Sequence, residues 1–119
     1  MKPFLALLLC LSLSALAEDG YRKELPFLAL MQEKPKEGDV YKVRQYAAQK
    51  ESDNGPTVEA VLFAYSRHTG PEVKLSLTAA QWPFVRLSQA IFLRKTATGW
   101  EYLGSRIERD QRGKIVFRY

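Results

Sequence analysis

Two short loops that end in glycine constrain this chain more than any other feature. Ala97-Thr98-Gly99 and Gln111-Arg112-Gly113 divide the last third of the sequence into three segments, 84–95, 100–109 and 114–119. A three-residue loop closing on glycine suits a hairpin in which a type I turn is followed by a left-handed residue. The segments between the loops are rich in β-branched and aromatic residues, so three consecutive antiparallel strands are expected. The turns then set the register. Thr96 falls opposite Trp100, Lys95 opposite Glu101, Phe92 opposite Gly104 and Asp110 opposite Lys114. Gly104 would leave room for the Phe92 ring.

Period-two sorting gives this unit two different faces. Val85, Leu87, Ile91, Leu93, Leu103, Ile107, Ile115 and Phe117 form a core surface. The opposite face collects Arg86, Phe92, Arg94, Trp100, Tyr102, Arg106, Glu108 and Arg118, with Ala90, Arg106 and Arg118 in one row. The basic excess of the chain also sits on this unit. From Glu18 to Val85 the net charge is −1, and from Arg86 to Tyr119 it is +5. An anionic partner for the basic and aromatic face is therefore the sharpest functional expectation.

Upstream, the pattern predicts a helix over about 21–33, ended by Pro35 and Gly38, and strands over about 40–49, 57–67 and 72–79. The polar stretch 50–56 is expected to be the longest loop. Val58, Ala60, Leu62 and Ala64 alternate with Val61, Phe63 and Tyr65, so the 57–67 strand is apolar on both faces and needs cover on both. If His68-Thr69-Gly70 is another glycine-ended loop, Phe63 lies opposite Leu75 and Val61 opposite Leu77. Trp82-Pro83-Phe84 forms a corner between strands. The expected architecture is α+β and mainly β: a six-strand antiparallel meander with one short N-terminal helix. A strongly curved sheet wrapped on that helix, as in cystatin-like folds, is preferred to a small closed barrel. The Gly99-Trp100-Glu101-Tyr102 stretch resembles the last hairpin of cystatin-like domains, and no function is carried over from that resemblance.

The N-terminus has the form of a cleaved secretory signal. Lys2 precedes an apolar run from Phe4 to Leu16, and Ala15-Leu16-Ala17 supplies small residues for cleavage, leaving 18–119 as one globular domain. Leu9 before Cys10 argues against lipidation. The run is short for a membrane span, so no transmembrane segment is expected after cleavage. Cys10 is the only cysteine, which leaves the exported domain without a disulfide and points to a periplasm or bacterial exterior.

Composition narrows the chemistry further. Without a cysteine after cleavage, thiol catalysis and cysteine metal sites are excluded, and a single histidine, His68, excludes a two-histidine zinc site within one chain. His68 sits in a turn with no nucleophile motif around it. The carboxylates are scattered and no phosphate-cradling glycine loop occurs. Neither catalysis nor a metal or cofactor is expected. The candidate ligand residues are Phe92, Arg94, Trp100, Tyr102, Arg106 and Arg118, with arginines for phosphate or carboxylate and rings for stacking. Export disfavours nucleic acid and favours an anionic envelope glycan or lipid, or an acidic protein. In the competing arrangement the rings pack under the N-terminal helix and only the arginine stems cover apolar surface. The alternative function is an inhibitor or immunity-type protein that blocks a secreted enzyme through its loops, with Trp82, Phe84, Asp53 and Asn54 as contacts.

Overall fold

The computed structural model describes residues 20–65 and 70–119. Its framework is nine strands and two short helices among the described residues: β1 (Glu24–Pro26), α1 (Phe27–Leu30), β2 (Val40–Arg44), β3 (Tyr46–Asp53), β4 (Thr57–Ala64), β5 (Glu72–Thr78), α2 (Trp82–Leu87), β6 (Ala90–Lys95), β7 (Trp100–Gly104), β8 (Arg106–Arg109) and β9 (Ile115–Arg118). The strands form three sheets, ordered β1-β2-β6-β7, β3-β4-β5 and β8-β9. The protein is mainly β, as the sequence predicts, but the six-strand meander is replaced by three sheets. No closed barrel forms among the described residues.

The clearest apolar alternation builds the centre. Val73, Leu75 and Leu77 of β5 are buried while the residues between them are exposed. They pair with Leu62, Ala60 and Val58 of β4. This differs by an odd number of residues from the register expected from a three-residue loop, and the outcome follows from the pleat. An odd shift decides which face each side chain takes, and the observed one buries the β4 and β5 aliphatics together. Val61 and Phe63, on the other face of β4, are also buried. The β4–β5 aliphatics Val58, Ala60, Leu62, Val73, Leu75 and Leu77 join Phe27 and Leu30 of α1, Tyr41 and Val43 of β2, Val85 of α2, and Ile91 and Leu93 of β6 in one core cluster, to which Val61 and Phe63 do not belong.

The expected N-terminal helix is mostly absent. Pro26 is extended (φ −69°, ψ 155°), so α1 begins only at Phe27 and has four residues. Leu25 and Phe27 are both buried, two apart, which is strand spacing. Glu24–Pro26 instead runs parallel to β2, fastened by the Arg22 N–H on Val40 O (2.8 Å) and the Lys42 N–H on Lys23 O (3.1 Å). Likewise 84–95 is not one strand. Pro83 is pre-set for a first helical turn and α2 occupies 82–87, so the strand starts at Ala90.

Two breaks separate the sheets. Gln45 adopts φ 57° and splits the expected 40–49 strand into β2, in the first sheet, and β3, in the second. The presumed 50–56 loop is shorter, because β3 runs on to Asp53 before turning. Ser105 separates β7 from β8, and its N–H donates to Arg118 O (2.7 Å). A Cβ on Gly104 would lie 2.5 Å from that same oxygen. Thus Gly104 does sit opposite Phe92, but the space it leaves is filled by the β9 backbone rather than by the ring.

The two C-terminal turns differ. Gly113 is left-handed (φ 76°), and the pairs Arg106–Arg118 to Arg109–Ile115 follow the expected register. The Asp110 carboxylate accepts N–H bonds from Arg112 and Lys114, both 2.9 Å. Gly99 has no positive φ, and Lys95 rather than Thr96 faces Trp100. That one-residue slip persists until an irregularity between Phe92 and Leu93 removes it. Arg94 therefore meets Glu101, replacing the expected Lys95–Glu101 pair, and Tyr102 meets Leu93 on the buried side. Ala90 lies in the first sheet and pairs there with Arg44 of β2, whereas Arg106 and Arg118 pair in the separate β8-β9 sheet, so the expected row of three does not form.

Candidate functional site

The basic and aromatic face is dispersed: the slip at Gly99 turns Tyr102 inward, and neighbouring rings cover Phe92. Phe92 is buried and contacts the rings of Tyr21 (5.3 Å) and Phe117 (5.2 Å). Tyr102 is buried and stacks on Tyr119 at 6.0 Å. Trp100 is half-buried with its edge on Tyr41 at 6.0 Å. The cations stay outside but have partners. Arg94 bonds Glu101 at 2.8 Å, and Glu108 lies between Arg106 and Arg118. Arg106 Nε also donates to Tyr119 O (3.1 Å). Arg106 and Arg118 are thus brought together, whereas Phe92 and Tyr102 are withdrawn from the exposed surface.

The second set of expected contacts lies elsewhere. Trp82 packs half-buried against the core, while Phe84 is partly exposed and touches the Tyr119 ring at 5.7 Å. Asp53 works locally. Its carboxylate accepts from Lys50 Nζ (3.0 Å) and the Gly55 N–H (3.1 Å), and the Lys50 bond, before the others, draws its pKa below the usual value. Asn54 closes the turn through its N–H on Thr57 O (2.9 Å). The Ala79 N–H on Pro56 O (3.0 Å) joins this turn to the residues leading into α2, so both features share one end of the second sheet. His68, the leader and Glu18-Asp19 lie outside the described residues.

A wide concave surface lies at the other end of β3. The left-handed turn at Gln45 makes β3 an edge strand of its sheet. Tyr46, the first residue after the turn, holds α2 beside that edge. Its buried hydroxyl donates toward Val85 O (2.6 Å) and Ser88 O (3.0 Å), carbonyls at the C-terminal end of the helix. Burial raises the Tyr46 pKa well above its ordinary value, with the neighbouring Tyr102 adding to the effect. Ser88 Oγ in turn bonds Ser105 Oγ (2.8 Å), which bonds the Tyr102 hydroxyl (2.8 Å). Burial raises the Tyr102 pKa as well, although the Ser105 bond opposes it. These hydroxyls form a structural chain with no carboxylate in it.

Between β3 and the end of α2 lies an open cleft of about 630 Å³ with Ala47, Ala48, Tyr65, Arg86 and Leu87 among its walls. On the other side of Gln45 a second hollow of about 200 Å³ continues past Tyr65 to Pro26 and Leu28. Leu87 is 73% exposed, Tyr65 75% and Leu28 39%. Scattered apolar residues are normal on a surface, but here Tyr65 borders both hollows, with Leu87 in the first and Leu28 in the second, which makes this corner the candidate interaction surface. Arg86 makes no ion pair among the described residues. Among the described residues, the cleft therefore combines apolar walls, a cation without an ion pair and an unpaired strand edge. No group of carboxylates, histidines or cysteines suited to a metal ion occurs among the described residues.

No protein-family model, curated protein or solved structure matches this chain, so the chemistry of the site carries the functional argument. Sequence reasoning missed this corner. Leu87 was expected on the core face and Tyr65 inside a strand. The available signal was Pro83, which favours a first helical turn and moves Leu87 to a helix end. Nothing in the sequence marks Gln45 as left-handed.

Proposed function

We propose that this chain is an exported, non-catalytic binding module whose partner is a polypeptide held at the Gln45 corner. The observation that carries the reading is the cleft between β3 and α2, where Leu87 and Tyr65 are 73% and 75% exposed. Burying two such side chains supplies roughly 3 kcal/mol or more to association before its costs are met. Apolar anchors within a polar rim are the usual anatomy of a protein interface. A partner docked there would meet a rigid wall, because Tyr46 ties the end of α2 to β3. Blocking a secreted enzyme is one form such binding would take, and the exposed Phe84 on the same helix would extend the contact. The apolar leader is the support for export. Among the described residues, no helix is long and apolar enough to cross a membrane.

A second reading rests on the basic excess of the last third of the chain. Arg94, Arg106 and Arg118 keep side-chain exposures of 45%, 63% and 55% although each is paired. An anionic envelope glycan or lipid would compete with Glu101 and Glu108 for them, and that association would weaken as salt rises. Capture from envelope extract separates the two readings. The baits are the wild-type protein, a Leu87→Ser/Tyr65→Ser variant and an Arg94→Glu/Arg106→Glu/Arg118→Glu variant. The polypeptide reading requires one stoichiometric protein that the corner variant loses and the arginine variant keeps at moderate salt. A glycan or lipid lost with the arginines and with salt would replace it.

A further inference from the structure

The backbone at the corner specifies more than an apolar patch. Gln45 O accepts the Tyr65 N–H (3.1 Å), and Gln45 and Tyr65 continue the pairing of Tyr46 with Ala64 and Ala47 with Phe63. In an antiparallel ladder the bonded pairs alternate. Ala47 and Gln49 therefore direct their N–H and C=O groups at β4, and Tyr46, Ala48 and Lys50 direct theirs away from it. Nothing pairs with those outward groups, since β3 ends its sheet and no further backbone bond reaches them among the described residues.

The far half of this edge carries the devices that prevent strand pairing. The register shifts between Lys50 and Ser52, and Lys50, Glu51 and Asp53 place charges along it. A bulge and charged side chains are standard protection for an exposed edge. The near half, Tyr46 to Ala48, has neither. It also carries two consecutive alanines: Ala48 packs against the core, and the small Ala47 on the opposite face leaves space for a larger side chain of a neighbouring strand. This unprotected half is the part that lines the cleft, opposite Arg86 and Leu87.

We infer that the partner docks as an extended peptide segment added to the edge of β3, with a carboxylate of that segment on Arg86 and its apolar side chains against Leu87 and Tyr65. The inference rests on the polypeptide reading above and specifies its mode. Strand addition draws affinity from main-chain bonds and selectivity from alternate side chains. The unpaired guanidinium selects an acidic residue, because a bidentate carboxylate satisfies it best.

The probe is a displayed library of random peptides of about 8 residues, slightly longer than an average strand. Selection on the wild-type protein should enrich sequences with alternating apolar residues and a conserved acid. The enriched peptide is then measured on three variants. Ala48→Pro removes one outward N–H and no bond to β4, so the fold should keep its melting temperature while affinity falls about tenfold or more. Arg86→Glu should weaken acidic peptides by about tenfold and shift enrichment toward basic ones. Leu87→Ser should abolish binding. Exchange of the wild-type amides supplies a check that needs no variant: bound peptide should slow Ala48 and leave Ala47 as it was. Loss on Leu87→Ser with undiminished binding to Ala48→Pro and an unprotected Ala48 amide would overturn strand addition and leave docking at the corner intact. Enrichment of no peptide, or of peptides indifferent to all three variants, would overturn both.

Discussion

The basic strands β6 to β9 and the Gln45 corner make opposite use of their polar and apolar groups. On the strands, three exposed arginines have carboxylate partners within the fold: Glu101 holds Arg94, and Glu108 lies between Arg106 and Arg118. The aromatic rings that accompany those cations in sequence are turned inward or half-covered. At the corner the charge is small, yet the outward edge groups of β3 are unpaired among the described residues and the Leu87 side chain is exposed. Charge density alone therefore does not single out one surface, and the proposal rests instead on the unmatched groups at the corner.

Four substitutions test this contrast, and the first two carry the larger effects. Gly104→Val should disrupt the basic strands most, because its side chain would run into the Arg118 backbone. We expect a loss of roughly 3 kcal/mol in urea unfolding, at the upper end for overpacking. An unchanged midpoint would mean that β9 does not approach β7 as closely as described. Tyr46→Phe attacks the support of the corner. It leaves two helix-end carbonyls without their donor and should cost about 1–2 kcal/mol. It should also alter the alkaline limb of stability. The folded pKa of Tyr46 is raised by burial, so its contribution is complete below the unfolded value near 10 and is lost as pH rises above it. The variant should therefore lose less stability than wild type above about pH 10. Some decline will persist, because burial also raises the pKa of Tyr41 and Tyr102.

The remaining pair have smaller effects and sharpen the comparison. Gln45→Gly relieves a left-handed residue and should gain about 0.5–1 kcal/mol, the relief exceeding the entropy that glycine adds to the unfolded chain. A loss on thermal unfolding would show that the Gln45 side chain has a role beyond turning the chain. Glu108→Gln should cost less than about 1 kcal/mol, shrinking toward zero in high salt, because its ion pairs are exposed. A large, salt-insensitive loss would make the basic strands more dependent on charge matching than their exposure suggests.

How much of this was legible in the sequence depends on what each feature rests on. The hairpin at Gly113 was readable because an Asp110 side chain and a left-handed glycine act within five residues. The β5 alternation was equally local. The turn at Gly99 has the same ending but no positive φ, and the one-residue difference sends Tyr102 to the core. Period-two logic was sound there, but it propagated an incorrect starting register. Gln45 was hidden for another reason. Its left-handed geometry joins strands of two different sheets, so tertiary packing overrides the preference of a residue with no special bias for that region. The candidate site inherits this, since its walls come from segments about forty positions apart in sequence that meet only where α2 is tied to Tyr46.

The most direct test of the central claim is a titration of isotope-labelled protein with the peptide enriched on it, following every backbone amide. If the corner is the binding surface, perturbations will concentrate on Tyr46 to Ala48, Tyr65 and Arg86 to Gln89, and Arg94, Arg106 and Arg118 will stay where they are. Perturbations centred on those three arginines, with the β3 edge silent, would contradict the account and return the function to the basic strands.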